Sequence, residues 1–291
     1  MRRVLRILLG AAAIGLIAGW WLTAPAPAPD AAGFAAPGDP GRGAQVFAAA
    51  GCAGCHMAPG AEGADRLVLA GGQPFASDFG TFYAPNISPG PQGIGDWSVT
   101  DLAGALLNGV SPDGRHYYPA FPFTSYRNMT APDISDLYAY IRTLPAADTP
   151  SADHGVSFPF NIRRALGAWK WLFFSRNWVR PAPTQQLERG RYLVEGLGHC
   201  AECHTPRNLV GGLVTSRWMA GGPNPSGRGS IPALTPDKLT WSDDEVAYFL
   251  TTGFTPEFDV AGGEMIEVVE NLKALPESDI RAIVAYLRAL Q

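Results

Sequence analysis

One five-residue pattern occurs twice in the chain, with two cysteines separated by two residues and followed directly by histidine. Residues 52–56 read CAGCH and residues 200–204 read CAECH. Two thiols at this spacing can add to the two vinyl groups of a haem, and the adjacent histidine can reach the iron as its proximal ligand. The pattern therefore predicts two covalently bound haem c groups. The predicted attachment residues are Cys52, Cys55, Cys200 and Cys203, and the predicted iron ligands are His56 and His204.

A pair of cysteines at this spacing has two other interpretations, a thiol-disulfide redox pair or half of a zinc site. All four cysteines of the chain lie in the two motifs, and each motif ends in histidine. No cysteine is left for a disulfide framework. The repeated motif therefore favours haem attachment over both alternatives.

The elements around the two motifs are also duplicated. The landmarks that recur are AGG at 70–72 and 220–222, WS at 97–98 and 241–242, and AYIR at 139–142, which returns as AYLR at 285–288. The offset between the copies stays between 144 and 150 residues. This spacing predicts a tandem domain duplication, a first repeat over 38–147 and a second over 185–291.

Both repeats have the same sequence of helix and loop signals. Each begins with a helix before the motif and continues through a Gly- and Pro-rich loop to a middle helix. Ser98 or Thr100 is the expected cap of that helix in the first repeat, and Ser242 in the second. The two helices are expected to stop at Gly109 and Gly253. Apolar residues at helical spacing predict closing helices over 133–144 and 278–290.

This plan resembles the class I cytochrome c fold. In that family the first and last helices cross closely, with glycine on one and an aromatic residue on the other. The matching pairs here are Gly43 with Tyr140 and Gly190 with Tyr286. The resemblance implies an all-α fold of two tandem class I cytochrome c domains.

Three further stretches carry a closer resemblance. They are 83–89 (YAPNISP), 113–123 (DGRHYYPAFPF) and 194–208 around the second motif. They look like the cytochrome c subunits of membrane-bound alcohol, sugar and aldehyde dehydrogenase complexes, although those subunits commonly carry three haem domains and this chain has two. The resemblance implies a non-catalytic subunit that passes single electrons from a periplasmic dehydrogenase to a quinone, a cytochrome c or a terminal oxidase. The alternative is a diheme peroxidase-like enzyme with an open or displaceable ligand at the first haem.

The second axial ligand is expected to be methionine, and the chain has five. In the second repeat Met265 lies before the last helix, where class I cytochromes c place this ligand, whereas Met219 matches Leu69 and is expected to pack. In the first repeat Met129 precedes the last helix and is the predicted ligand. The repeat register does not support this choice, because aligning the two final helices puts Met265 opposite Pro119, ten residues before Met129. His116 is the alternative, since bis-His ligation is the other common low-spin arrangement.

A ligating histidine is oriented through its second ring nitrogen by a carbonyl or carboxylate. In the resembling family a proline shortly after the motif supplies that carbonyl. Pro59 and Pro206 are the expected residues here.

The amino terminus combines three arginines with an uncharged run that ends at Leu22. The arginines place this end in the cytoplasm and the rest of the chain outside. Residues 1–24 are either a retained anchor, with Trp20 and Trp21 at the membrane interface, or a cleaved signal peptide. A Pro/Ala linker follows over 25–37. We expect the chain on the periplasmic side of a bacterial inner membrane, or in the periplasm if the segment is cleaved.

The segment 148–184 between the repeats is rich in aromatic and basic residues. It is either a linker whose aromatics, such as Trp169 and Trp171, pack between the repeats or a surface for the membrane or a catalytic partner. The net charge of -4 gives no basic footprint for nucleic acid. No nucleic-acid partner is therefore expected.

Overall fold

The computed structural model describes residues 2–224 and 229–290, and most of its regular structure is helical. Up to the end of the first repeat the helices are α1 Arg2–Leu22, α2 Pro40–Ala49, α3 Cys52–His56, α4 Val99–Asn108, α5 Phe123–Tyr126 and α6 Ala131–Ile141. The later helices are α7 Ala165–Phe173, α8 Gln185–Arg191, a π-helical segment Tyr192–Leu197, α9 Ala201–His204, α10 Asp243–Thr252, α11 Met265–Leu272 and α12 Glu277–Arg288.

The prediction of an all-α chain holds only coarsely, because the long loops form small antiparallel sheets. The strands are β1 Pro74–Ser77, β2 Gly80–Tyr83, β3 Gly155–Val156, β4 Gly222–Pro223 and β5 Ser230–Ile231. A tight turn joins β1 to β2 at Ser77 and Gly80, and the φ of 124° at Gly80 suits only glycine. Thr81 pairs with Gly155, so the segment between the repeats returns to the first repeat as a strand.

The first and last helices cross closely in each repeat, α2 against α6 and α8 against α12. A Cβ on Gly43 would lie 2.7 Å from the Cβ of Tyr140, and one on Gly190 would lie 2.6 Å from the Cβ of Tyr286. Any larger side chain would overlap the partner helix. The expected glycine–aromatic crossing is confirmed in both repeats.

The middle helices begin and end as their sequences predict. Ser98 caps α4 and Ser242 caps α10, each in a capping box with the acidic residue three positions later. Both helices end at a glycine with left-handed backbone, Gly109 with φ 59° and Gly253 with φ 81°. These local signals fix the length of the middle helix in each repeat.

The buried apolar residues form one cluster that extends through both repeats. Phe47 and Leu137 belong to it in the first repeat, and Leu197 and Tyr286 in the second. Helix α11 of the second repeat packs on α2 and α3 of the first. The two haem-attachment motifs are therefore held in one continuous packing arrangement.

Candidate haem sites at the contact between the repeats

Each motif histidine is oriented by a backbone carbonyl from a distant loop. The Nδ1 of His56 lies 2.8 Å from the Pro85 carbonyl oxygen, and the Nδ1 of His204 lies 2.8 Å from the Pro232 carbonyl oxygen. Because a carbonyl can only accept, Nδ1 is the protonated nitrogen in both rings. Nε2 then keeps its lone pair for an iron atom. Burial lowers the pKa of both histidines, which favours the neutral ring that ligation requires.

The sequence interpretation assigned these two carbonyls to the wrong prolines. Pro59 and Pro206 instead pack against glycines, with their ring atoms 3.6 Å and 3.5 Å from where a Cβ of Gly72 and Gly222 would lie. These prolines lie close behind their motifs along the chain, whereas the observed acceptors come from loops 29 and 28 residues away. The two prolines therefore shape the loop after each motif rather than orient the ring.

Asn86 is a positioning residue that the sequence analysis did not single out. Its Nδ2 donates to the carbonyl oxygens of Ala147 and Thr149 at 3.0 Å and 2.8 Å, and its Oδ1 accepts from the Ser88 N–H at 2.8 Å. Asn86 is buried, and its bonds to Ala147 and Ser88 are shielded from water. Asn86 thus fixes the loop that carries the Pro85 carbonyl. The resemblance of residues 83–89 was the signal that could have identified it.

No disulfide joins any two of the four cysteines, all of which lie within the described residues. Burial raises the pKa of Cys52 to about 12 and that of Cys200 to about 12. Burial, with the charges of Cys203 and Glu267, raises the pKa of Cys55 to about 11. A redox-active pair needs a lowered thiol pKa, so the thiol-disulfide alternative has no electrostatic support here. Over residues 2–224 and 229–290, no group of three or more His, Cys, Asp and Glu is arranged to hold a metal ion, as the zinc alternative requires.

The second motif packs against the first repeat through the second of the two variable residues between its cysteines. Glu202, between Cys200 and Cys203, accepts hydrogen bonds from the hydroxyls of Thr124 and Ser125, the latter at 3.2 Å. Arg207 of the same repeat forms a salt bridge with Glu202 at 2.5 Å. The second attachment helix is thereby fixed to α5 of the first repeat.

The first motif makes the reciprocal contact. A Cβ on Gly54 would lie 3.1 Å from the Cβ of Glu267, which is on α11 of the second repeat. Glu267 also accepts from Arg66, whose Nη2 lies 2.6 Å from its Oε2. Both attachment helices are therefore positioned at the contact between the repeats.

The candidates for the second axial ligand lie in different environments. Met265 is partly buried at the start of α11, while Met129 lies in the apolar core. Met219 is fully buried, and its carbonyl accepts from Leu234 as that of Leu69 accepts from Ile87, which supports the expected match of Met219 with Leu69. Ligation itself by Met265 or Met129 stays a prediction.

Comparison with known proteins identifies the class. The cytochrome c family matches residues 41–145. The chain is 51% identical over 290 residues to a diheme cytochrome c-type protein of Cereibacter sphaeroides, covering 99% of this chain and 98% of that protein. It is 41% identical to one subunit of the nicotinate dehydrogenase of Pseudomonas putida and 39% identical to the fructose dehydrogenase cytochrome subunit of Gluconobacter japonicus. In both cases 86% of this chain is covered, but only 21% and 52% of the relative.

Fold, attachment sites and relatives together define a c-type cytochrome. The chain belongs to the diheme c-type cytochromes, carries two covalently bound haem c groups and functions in electron transfer. The residues fit that cofactor, because each motif supplies two thiols and a histidine whose Nε2 is free to bind iron.

Proposed function

We propose that this chain receives single electrons from a periplasmic dehydrogenase and passes them through its two haem sites to a quinone, a cytochrome c or a terminal oxidase. The observation that carries the proposal is the location of both attachment helices at the contact between the repeats. Gly54 and Glu202, the corresponding variable residues of the two motifs, each face the opposite repeat. Two redox centres attached at one interface can exchange electrons within the molecule.

The protein's own contribution is positioning and electrostatics. The bound haem irons supply the one-electron chemistry. The residues around them orient the histidines, bury the thiols and hold the repeats together, as two haem-binding units over 38–147 and 185–291. Relatives named as subunits of nicotinate, fructose, gluconate and alcohol dehydrogenases support a dehydrogenase as the electron donor.

Substrate-dependent reduction of the haems in native membranes tests this proposal. Membranes containing the full chain are treated under anaerobic conditions with nicotinate, fructose, gluconate or ethanol, one at a time, and the haem absorption bands are recorded. We expect one substrate to reduce both haems and oxygen to reoxidise them. The proposal is wrong if no substrate reduces haems that dithionite does reduce.

Variants that lack one haem show whether both haems lie on the electron-transfer path. We expect Cys52→Ala/Cys55→Ala and Cys200→Ala/Cys203→Ala each to slow substrate-dependent oxygen uptake at least tenfold. The matched control is Asp148→Asn, which changes an exposed carboxylate between the repeats. Full oxygen uptake in either double variant would remove that haem from the electron path.

We further propose that residues 1–24 are retained as an anchor in the inner membrane. Helix Arg2–Leu22 is long and apolar enough to cross a bilayer, a test that a signal sequence also passes. The residues that follow it are bonded into the first repeat. The Thr23 carbonyl accepts from His116 Nε2 at 3.0 Å, and the Pro27 carbonyl accepts from Asn108 at 3.1 Å. Cleavage within this stretch would remove a contact of the folded protein, which favours retention.

The segment between the repeats extends that membrane contact. Helix α7 lies beside the end of α1, where Arg164 stacks 4.2 Å from the Trp20 ring. Trp171 and Leu172 on α7 are 67% and 75% exposed, and nearby in sequence Phe158 is 78% exposed. Exposed apolar side chains next to a membrane helix are typical of an interfacial segment.

The two tryptophans of α7 have different surroundings. Trp169 donates its Nε1–H to the Val210 carbonyl at 2.9 Å, so it packs toward the second repeat. Trp171 is exposed. Trp169 therefore matches the linker interpretation of the segment and Trp171 the surface interpretation. On α7, changes at Trp171 and Leu172 probe the membrane contact.

Mass spectrometry of the purified protein separates the two fates of the amino terminus. A retained anchor predicts the mass of the complete chain plus two haems, and cleavage predicts a loss of more than 20 residues if it falls within the Ala24 to Ala28 stretch.

For the interfacial segment, we expect Trp171→Ser/Leu172→Ser to increase the protease sensitivity of the 148–184 segment in membranes. Leu209→Ser, which changes an exposed apolar side chain outside the segment, is the matched control. Equal protease protection in the double variant would contradict the membrane contact.

A further inference from the structure

The loop after the middle helix begins with the same turn in both repeats. The Gly109 carbonyl accepts from the Tyr117 N–H at 2.8 Å, and the Gly253 carbonyl accepts from the Ala261 N–H at 2.7 Å. An isolated β-bridge lies inside each turn. It pairs Val110 with His116 in the first repeat and Phe254 with Val260 in the second. The two turns therefore align at a constant offset of 144 residues.

At this offset Phe121 lies opposite Met265. Both side chains are partly buried. The Phe121 ring contacts the rings of Tyr117 and Tyr126, with centroids 5.6 Å and 5.8 Å apart. A phenyl ring has no atom that can ligate iron, so the first repeat holds an apolar group where the second repeat holds a thioether.

The start of the last helix gives an independent alignment. Thr130 is the N-cap of α6 and Pro276 is the N-cap of α12, so Met129 corresponds to Leu275. Each donates its backbone N–H to the carbonyl three residues earlier, at 2.8 Å and 3.0 Å. Both are buried in the apolar core, with exposures of 5% and 8%. Met129 therefore takes the place of a core leucine. On this alignment Met265 falls opposite Pro119, which has no ligating atom either.

His116 is engaged elsewhere. Its Nε2 donates to the Thr23 carbonyl at 3.0 Å, on the side of the first repeat where α1 ends. The charges that act on its ring are those of Lys170 and Arg164, from the segment between the repeats. His116, the alternative ligand, thus faces the end of α1 and the segment between the repeats.

We infer that the first haem iron has no methionine ligand, and that its distal position, lined by Phe121, accepts a small neutral diatomic ligand such as carbon monoxide. The second haem iron is ligated by Met265. This inference deepens the proposed function and rests on the attachment of both haems. The two haem irons then differ, since the first can bind an external ligand and the second cannot.

Spectroscopy of the full-length holoprotein in detergent tests the inference. The oxidised protein is examined for the near-infrared charge-transfer band of methionine-ligated haem, and the reduced protein is titrated with carbon monoxide. We expect band intensity for one of the two haems and one carbon monoxide bound per chain. Intensity for two haems with no carbon monoxide binding would overturn the inference.

Three single substitutions assign the result to residues. Met265→Leu should abolish the band and raise carbon monoxide binding to two per chain. Met129→Leu should leave both readouts unchanged, because leucine is the residue at the corresponding position of the second repeat. Phe121→Met should add a second band and abolish carbon monoxide binding. Loss of a band in Met129→Leu would restore Met129 as the ligand and refute the inference.

The two proposals fail in different ways. If electron transfer from a dehydrogenase is wrong, the haems are not reduced by substrate, yet the band and the carbon monoxide stoichiometry remain as expected. If only the ligation is wrong, substrate still reduces both haems while the spectra show two methionine ligands. Each result thus identifies the proposal that has failed.

Discussion

Arg42 and Asp136 join the first helix of the first repeat to its last helix through two parallel hydrogen bonds. Nε donates to Oδ2 at 2.7 Å and Nη2 donates to Oδ1 at 2.9 Å. Arg189 and Asp279 form the same pair in the second repeat. A bidentate pair at the helix crossing fixes the geometry on which each haem crevice depends.

The first prediction concerns Asp136→Asn. Asp136 is 2% exposed, and replacing its carboxylate should destabilise the protein by about 1 kcal/mol. The Asp39 N–H and the Arg42 guanidinium lose a charged acceptor, while water screens the guanidinium because the Arg42 side chain is 64% exposed. The hydrogen bond from Arg42 holds the pKa of Asp136 below its usual value. This stabilisation is therefore fully present above an unfolded pKa of about 3.9 and is lost as the pH falls through the folded pKa. Calorimetric unfolding from pH 7 to pH 3 should show the two proteins converging below about pH 4. A constant difference across that range would contradict this assignment, and Asp148→Asn is the exposed control.

The second prediction concerns the helix crossing. A Cβ on Gly43 would lie 2.0 Å from the Asp136 carbonyl oxygen, a contact that backbone cannot relieve without moving a helix. We expect Gly43→Ala to destabilise the protein by more than about 3 kcal/mol and to reduce the yield of holoprotein. The matched control is Gly104→Ala inside α4, where the nearest atoms are 3.8 Å from the added carbon. Alanine there should be neutral or stabilising by up to about 1 kcal/mol. Equal melting temperatures for the two variants would refute the steric argument.

Local features of the fold could be predicted from the sequence because neighbouring residues encode them. The CxxCH chemistry, the cap at Ser98 and the left-handed stop at Gly109 all depend on residues a few positions apart. The close crossing at Gly43 followed from the family resemblance rather than from spacing.

Contacts between distant residues could not be predicted in this way. The carbonyl that orients His56 comes from a loop 29 residues later, and the pair of Arg66 with Glu267 spans 201 residues. No local pattern specifies such contacts, since they depend on how the loops and repeats pack. For the same reason the distance of Met129 from the last helix does not establish that it ligates iron, and its ligation stays a prediction.

The third prediction concerns the loop that orients His56. Asn86→Leu should leave the Ala147 and Thr149 carbonyls without their donor and loosen the Pro85 carbonyl from the His56 ring. A weaker hydrogen bond makes the imidazole less basic, so the midpoint potential of the first haem should rise. The second haem is the internal control, and its potential should not change. A redox titration that shows equal shifts at both haems would indicate a general structural change instead.

The fourth prediction concerns charge at the contact between the repeats. The Glu267 carboxylate is among the charges that raise the pKa of the Cys55 thiol, so it also favours the more positive, oxidised state of a haem attached there. Glu267→Gln should raise the midpoint potential of the first haem by tens of millivolts, while Arg66→Met, which leaves the carboxylate without its 2.6 Å partner, should lower it by a similar order. Asp244→Asn changes an exposed salt bridge with Arg281 and should shift the midpoint potential of neither haem.

If both substitutions at the contact moved the potential in the same direction, a structural disturbance rather than charge would be the cause. Opposite shifts, with the double variant between them, would show that the contact between the repeats tunes the first haem.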